Sequence, residues 1–132
     1  AYDLSISHFV KNRFKTVKIF EQEYTGSKGG YDHIFAIELL EHLSDPLSFS
    51  LMCKNSLNPM GYFITTTATN VPQIDHIYNF VNEVEFENQL CASGLVIIEK
   101  EMIKNDLLFK RIEARNNWYI FKKIDAVQRH TI

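Results

Sequence analysis

At 132 residues, with 45% hydrophobic and 13% aromatic side chains, the chain holds enough apolar material for one packed domain. Fourteen basic against sixteen acidic residues leave a net charge of −2, which supplies no field for steering onto nucleic acid or anionic membrane. No apolar run approaches the roughly 20 residues of a membrane span, the opening residues lack the basic-then-apolar order of a signal peptide, and Cys53 and Cys91 stand far apart in apolar stretches, as buried free thiols do; a cytoplasmic protein without membrane contact is expected.

In chain order, Ile6, Phe9, Val10 and Phe14 carry helical spacing over Ser5 to Phe14, with Asp3 or Ser5 as cap. Thr16 to Phe20 (TVKIF) alternates and is rich in β-branched residues, which predicts a short strand. Gly26, Gly29 and Gly30 mark a loop. Tyr31 to Ile37 (YDHIFAI) is mostly apolar and predicts a central strand buried on both faces of a parallel sheet. Asp45-Pro46 supplies a cap and first-turn proline for a helix to about Leu57. Asn58 to Gly61 reads as a turn into a strand at Tyr62 to Thr67 (YFITTT). Asn70 to Phe80 is a polar and aromatic loop, and Val84 to Ala92 a helix ending at Gly94. Leu95 to Ile103 and Trp118 to Lys122 form an antiparallel edge pair, and residues 125–132 a flexible tail. This alternation predicts an α/β domain with helices on both sides of a largely parallel sheet and a ligand site at the strands' carboxyl ends.

The segment YDHIFAIELLEHLSDP resembles the fourth-strand motif of class I S-adenosylmethionine-dependent methyltransferases of the type 11 and 12 kind, in which the strand runs into Glu-His and Asp-Pro. LNPMGYFITTTATN is similar to the family's Pro-Gly turn and fifth strand, and VEFENQLCASGLVII to its following helix, glycine and sixth strand, so the resemblance covers Tyr31 to Ile98. It implies a Rossmann-like methyltransferase sheet with S-adenosylmethionine as cofactor. AYDLSISHFV resembles the end of the family's second strand, which implies that Asp3 accepts hydrogen bonds from the cofactor's ribose; a helix cap is the other reading of Asp3. Ile37 and Glu38 fall where the family contacts the adenosyl or methionine part.

The family's glycine-rich first-strand loop has no counterpart. Gly29-Gly30, the single glycine pair, precedes the fourth-strand motif. The expected fold is therefore a partial methyltransferase domain over residues 1–124, lacking the first strand and most of the second. It should be a homo-oligomer, or be completed by polypeptide preceding Ala1, because a missing central strand leaves unpaired backbone.

Glu38, Glu41 and His42 fall on one face if the strand continues into a helical turn, and His76 lies in a loop at the same end. Two carboxylates and two imidazoles suit a divalent cation that polarises a substrate hydroxyl. The set resembles that of small-RNA 2′-O-methyltransferases and, in its Glu-x-x-Glu-His part, quinone-biosynthesis O-methyltransferases. Without metal, His42 fixes the turn and His76 is either the base or a surface residue. Tyr78 and Phe80 line an acceptor pocket or close the core. Two function classes follow: an enzyme methylating an oxygen of a small molecule or nucleic acid, and a domain without cofactor that serves as an interaction or oligomerisation module. His8, His33 and His130 share no ligand spacing, and Glu21 and Glu23 read as solvated.

Overall fold

Hydrogen bonding divides the strands of the computed structural model, which describes residues 2–3, 12–13, 16, 18, 20–22, 24–71, 73–104 and 114–124, into two sheets. Strands β1 (Tyr2–Asp3) and β2 (Phe20–Glu21) form a parallel pair. The larger sheet has the order β3-β4-β6-β5, from β3 (Tyr31–Ala36), β4 (Leu57–Thr69), β5 (Leu95–Lys104) and β6 (Arg115–Lys123). β3 and β4 run parallel, while β6 is antiparallel to β5, as the apolar C-terminal runs predict, and also to β4. The helix expected from Ser5 to Phe14 lies outside the described residues except at Asn12 and Arg13, as does the tail at 125–132.

Helix α1 (Pro46–Ser56) forms where its cap predicts. Asp45 accepts hydrogen bonds from Ser48 N (3.0 Å) and Ser48 Oγ (2.6 Å), and Pro46 fills the first turn, where its missing N–H costs nothing. Helix α2 (Glu83–Ala92) is capped by Asn82, whose side-chain oxygen accepts from Glu85 N at 3.0 Å. These two helices touch each other and cover one face of the larger sheet. That face presents Phe63, Thr65, Tyr119 and Phe121, and with Cys53, Leu57, Phe80, Phe86, Leu90 and Leu95 they make the core. The partly exposed Tyr62, Ile64 and Thr66 point the other way, as strand alternation requires.

Three expectations change. β3 is an edge of its sheet rather than the centre, with β4 on one side and no strand bonded to the other among the described residues, and Phe35, paired with Ile64, stands 65% exposed on the face that α1 and α2 do not cover. The turn expected at Asn58 to Gly61 is absorbed into β4 as a bulge: Tyr31 pairs with Leu57 and His33 with Tyr62, so β4 spends five residues where β3 spends two. Gly61 is needed there, since a Cβ would sit 3.0 Å from Asn58 O and 3.1 Å from Asp32 O. Finally, Cys53 is buried and free, its thiol pushed up to about 12 by desolvation, but Cys91 is exposed.

Gly29 and Gly30 lead into β3 at its amino end. Gly29 N donates to Asn55 O (2.9 Å), and Gly30, at φ 109°, donates to Asn58 Oδ1 (2.8 Å). They shape that end of the sheet, opposite to the carboxyl ends of β3 and β4. No helix of the described residues is long and apolar enough to cross a membrane.

Candidate functional site

β3 ends at Ala36, and the chain turns sharply. Glu38 adopts φ 46°, a left-handed conformation that is uncommon for a side-chain-bearing residue, and its N–H donates to Thr66 Oγ1 on β4 (2.9 Å). The next residues form a single 3-10 turn, Leu40–His42, that throws the Glu41 side chain inward and leaves His42 half-buried at the rim. Glu41 is fully buried. Its carboxylate receives long contacts from Thr67 Oγ1 and Ala68 N, both at 3.4 Å, and meets the Glu38 side chain. Burial lifts its pKa above the usual carboxylate range, and the Glu38 carboxylate beside it lifts it further against the pull of backbone N–H groups. No cationic side chain pairs with it among the described residues.

The loop after β4 completes the site. It is closed at its base by Asn70 N to Phe80 O (2.7 Å) and tied to the turn by Tyr78 N to Glu41 O (2.9 Å). His42 Nδ1 lies 2.8 Å from Asp75 O, and His76 Nδ1 2.7 Å from Val71 O. A carbonyl oxygen only accepts, so each Nδ1 carries a proton, and the tautomer this selects presents Nε2 as a lone pair. The rings meet edge to face, with centroids 5.0 Å apart. Glu41, His42 and His76 each bring one ligand-type atom within 4.8 Å of the others. Two imidazoles oriented by backbone carbonyls and one carboxylate are a donor set that fits a divalent transition ion.

Glu38 stands outside this trio, because its left-handed backbone precedes the helical turn instead of belonging to it. Ile37 is 55% exposed beside it, at the carboxyl end of β3. Asp3 closes β1, and the surroundings of its side chain lie outside the described part of the structure. Phe80 is buried against Phe86 and Tyr78, and Tyr78 packs on the same cluster while its hydroxyl donates to Glu85 (3.1 Å); both close the core rather than line a pocket. His33 stacks on its cross-strand neighbour Tyr62, at 5.7 Å and 11°. Sequence reasoning missed the carbonyls of Val71 and Asp75 and the hydroxyls of Thr66 and Thr67, since main-chain acceptors and threonines in a strand carry no distinctive signal.

No protein-family model matches the sequence, and no curated protein matches it. Solved structures do match the fold. The [4+2]-cyclase SpnF superposes with a TM-score of 0.67 at 10% identity over 88% of this chain and 58% of the cyclase. A SAM-dependent methyltransferase of Leishmania major gives 0.67 at 14% identity over 86% and 49%. The cyclopropane synthase MmaA2 of Mycobacterium tuberculosis gives 0.70 at 12% identity over 92% and 68%. The chain therefore has the class I methyltransferase fold, an open α/β sheet, and spans about half the length of the first two proteins. One of these folds carries a cyclase and another a cyclopropane synthase, so the site decides the chemistry.

Proposed function

We propose that this chain carries the acceptor side of an S-adenosylmethionine-dependent methyltransferase active site, acting on a hydroxyl oxygen. The observation that carries the proposal is the pair of histidines whose Nδ1–H groups are committed to backbone carbonyls, leaving two Nε2 lone pairs beside a buried carboxylate that no cation neutralises among the described residues. S-adenosylmethionine supplies a sulfonium-bound methyl group. Exposed Ile37 and the acidic Glu38, at the carboxyl end of β3, suit its apolar adenosyl part and its positive charge. The acceptor oxygen takes the methyl group as the carbon–sulfur bond breaks, and its proton passes to an imidazole Nε2, His76 first by position and His42 second. Glu41 stabilises the imidazolium so formed. Glu41, His42 and His76 would alternatively hold a divalent cation, which would acidify the acceptor hydroxyl; the Nε2 lone pairs would then serve as ligands in place of bases.

The edge of β3, unpaired among the described residues, supports a further part of the proposal: a strand from polypeptide preceding Ala1, or from a second copy, pairs there and completes the cofactor's half of the site. Titration of S-adenosylhomocysteine into the full-length reading frame tests the reading, with micromolar binding expected and no heat of binding contradicting it. Elemental analysis of wild type and Glu41→Ala tests the cation; metal in the first and not the second is expected, and none in either ends that part.

A further inference from the structure

Three residues with side chains are left-handed among the described residues: Glu38 (φ 46°), Met60 (φ 64°) and Asn70 (φ 54°). Asparagine visits this region readily, and Met60 sits in the bulge of β4 at the amino end of the sheet. Glu38 is neither an asparagine nor part of a bulge. It stands just past the carboxyl end of β3, and a strained residue of this kind persists only where its surroundings fix it.

What fixes it is β4, which carries Thr65, Thr66 and Thr67 in succession. Each hydroxyl reaches a different point of the chain leaving β3: Thr65 Oγ1 donates to Ala36 O (2.7 Å), Thr66 Oγ1 accepts from Glu38 N (2.9 Å), and Thr67 Oγ1 donates to the Glu41 carboxylate (3.4 Å). Valine or isoleucine would serve the strand as well, so the hydroxyls distinguish this run. Thr65 and Thr67 are fully buried, whereas Thr66 is half-buried on the other face, paired with Trp118 of β6. Pairing between β3 and β4 ends at Ala36 and Thr65, so the Glu38 N–H lies past the ladder and Thr66 supplies its acceptor. Without that acceptor, Glu38 gains by relaxing to negative φ, and Ile37 moves with it. His42 and His76 are held separately by Asp75 O and Val71 O, and Glu41 O by Tyr78 N, so the change is confined to the Ile37 and Glu38 side of the site.

We propose that Thr66 is a positioning residue for the cofactor: its hydroxyl oxygen locks Glu38 in the left-handed conformation and so sets the place of Ile37 and Glu38 against the adenosyl part and the positive charge. The inference rests on the methyltransferase reading above and adds a residue to the cofactor's side of that site. It is tested on the full-length protein with Thr66→Val, which keeps the branched shape and loses the acceptor, and Thr66→Ser, which keeps the acceptor. In calorimetry, affinity for S-adenosylhomocysteine should weaken about three- to tenfold in Thr66→Val, the range of one net hydrogen bond, and stay within about twofold of wild type in Thr66→Ser. Hydrogen exchange at the Glu38 amide, read by NMR without ligand, should quicken in Thr66→Val alone. Equal weakening in the two variants makes Thr66 a packing residue and overturns the inference. Equal cofactor affinity in wild type and Thr66→Val overturns it too and leaves the methyltransferase reading standing. No binding to the wild type overturns both, and unchanged exchange in Thr66→Val shows, independently of any cofactor, that Thr66 does not hold the turn.

Discussion

Two glutamates are drawn into the protein at the carboxyl end of the same sheet, and they are treated in opposite ways. Glu83, at the start of α2, receives Thr69 Oγ1 (2.7 Å), the Arg115 guanidinium and Asn117 Nδ2 (3.4 Å), while Asn117 also donates to Thr69 (3.0 Å). Burial pulls its pKa upward, but hydrogen bonds from Arg115 and Thr69 outweigh this and leave it below the usual range. Glu41, more deeply buried, has two 3.4 Å contacts, no cation among the described residues and a second carboxylate beside it, and its pKa rises. The first arrangement is how a protein makes a partly buried charge tolerable. The second stores unmet electrostatic demand next to two imidazole lone pairs, which is what a site awaiting a proton, a cation or a substrate hydroxyl requires.

The largest effect expected from breaking the contrast is on turnover. Glu41→Gln keeps the shape and removes the charge, and methyl transfer from labelled S-adenosylmethionine to a hydroxyl-bearing acceptor should fall by at least about a hundredfold, the scale of general-base assistance. Undiminished transfer would make Glu41 a packing residue. Arg115→Ala should act on stability instead, leaving Glu83 without its cation; a loss of about 2–3 kcal/mol in denaturant unfolding is expected, below the range for fully buried pairs because both side chains retain some solvent.

Acid and base then sharpen the contrast through opposite signs. The folded-state pKa of Glu83 is depressed, so its stabilising contribution is present above 4.5 and is lost as pH falls through the lower folded value. That of Glu41 is raised, so its contribution is intact below 4.5 and is lost as pH rises through the folded value. Unfolding midpoints measured across this range should show Glu41→Gln abolishing part of the loss on the alkaline side and Glu83→Gln part of the loss on the acid side. Identical profiles for the two variants would mean that the environments are not distinct.

Local signals explain what the sequence could reveal. Asp45-Pro46 announces α1 and the apolar run at Leu95 announces β5, while Glu41, His42 and His76 stand out by residue type in a fold whose ligands bind at the strands' carboxyl ends. The Glu83 cluster was not legible, because Thr69, Arg115 and Asn117 are 14 to 34 residues from it and meet only through the antiparallel register of β4 and β6. Nor was the edge position of β3. An apolar run predicts burial on both faces, and only the pairing order shows that one side of the strand is open. The left-handed Glu38 that parts it from Glu41 is likewise a backbone property that residue identity does not disclose.

The claim that Glu41 is retained for chemistry and Glu83 for stability is tested most directly by equilibrium unfolding of Glu41→Gln and Glu83→Gln side by side at pH 7. Glu41→Gln should unfold at or above the wild-type denaturant midpoint and Glu83→Gln clearly below it. Equal losses in both variants would contradict the account.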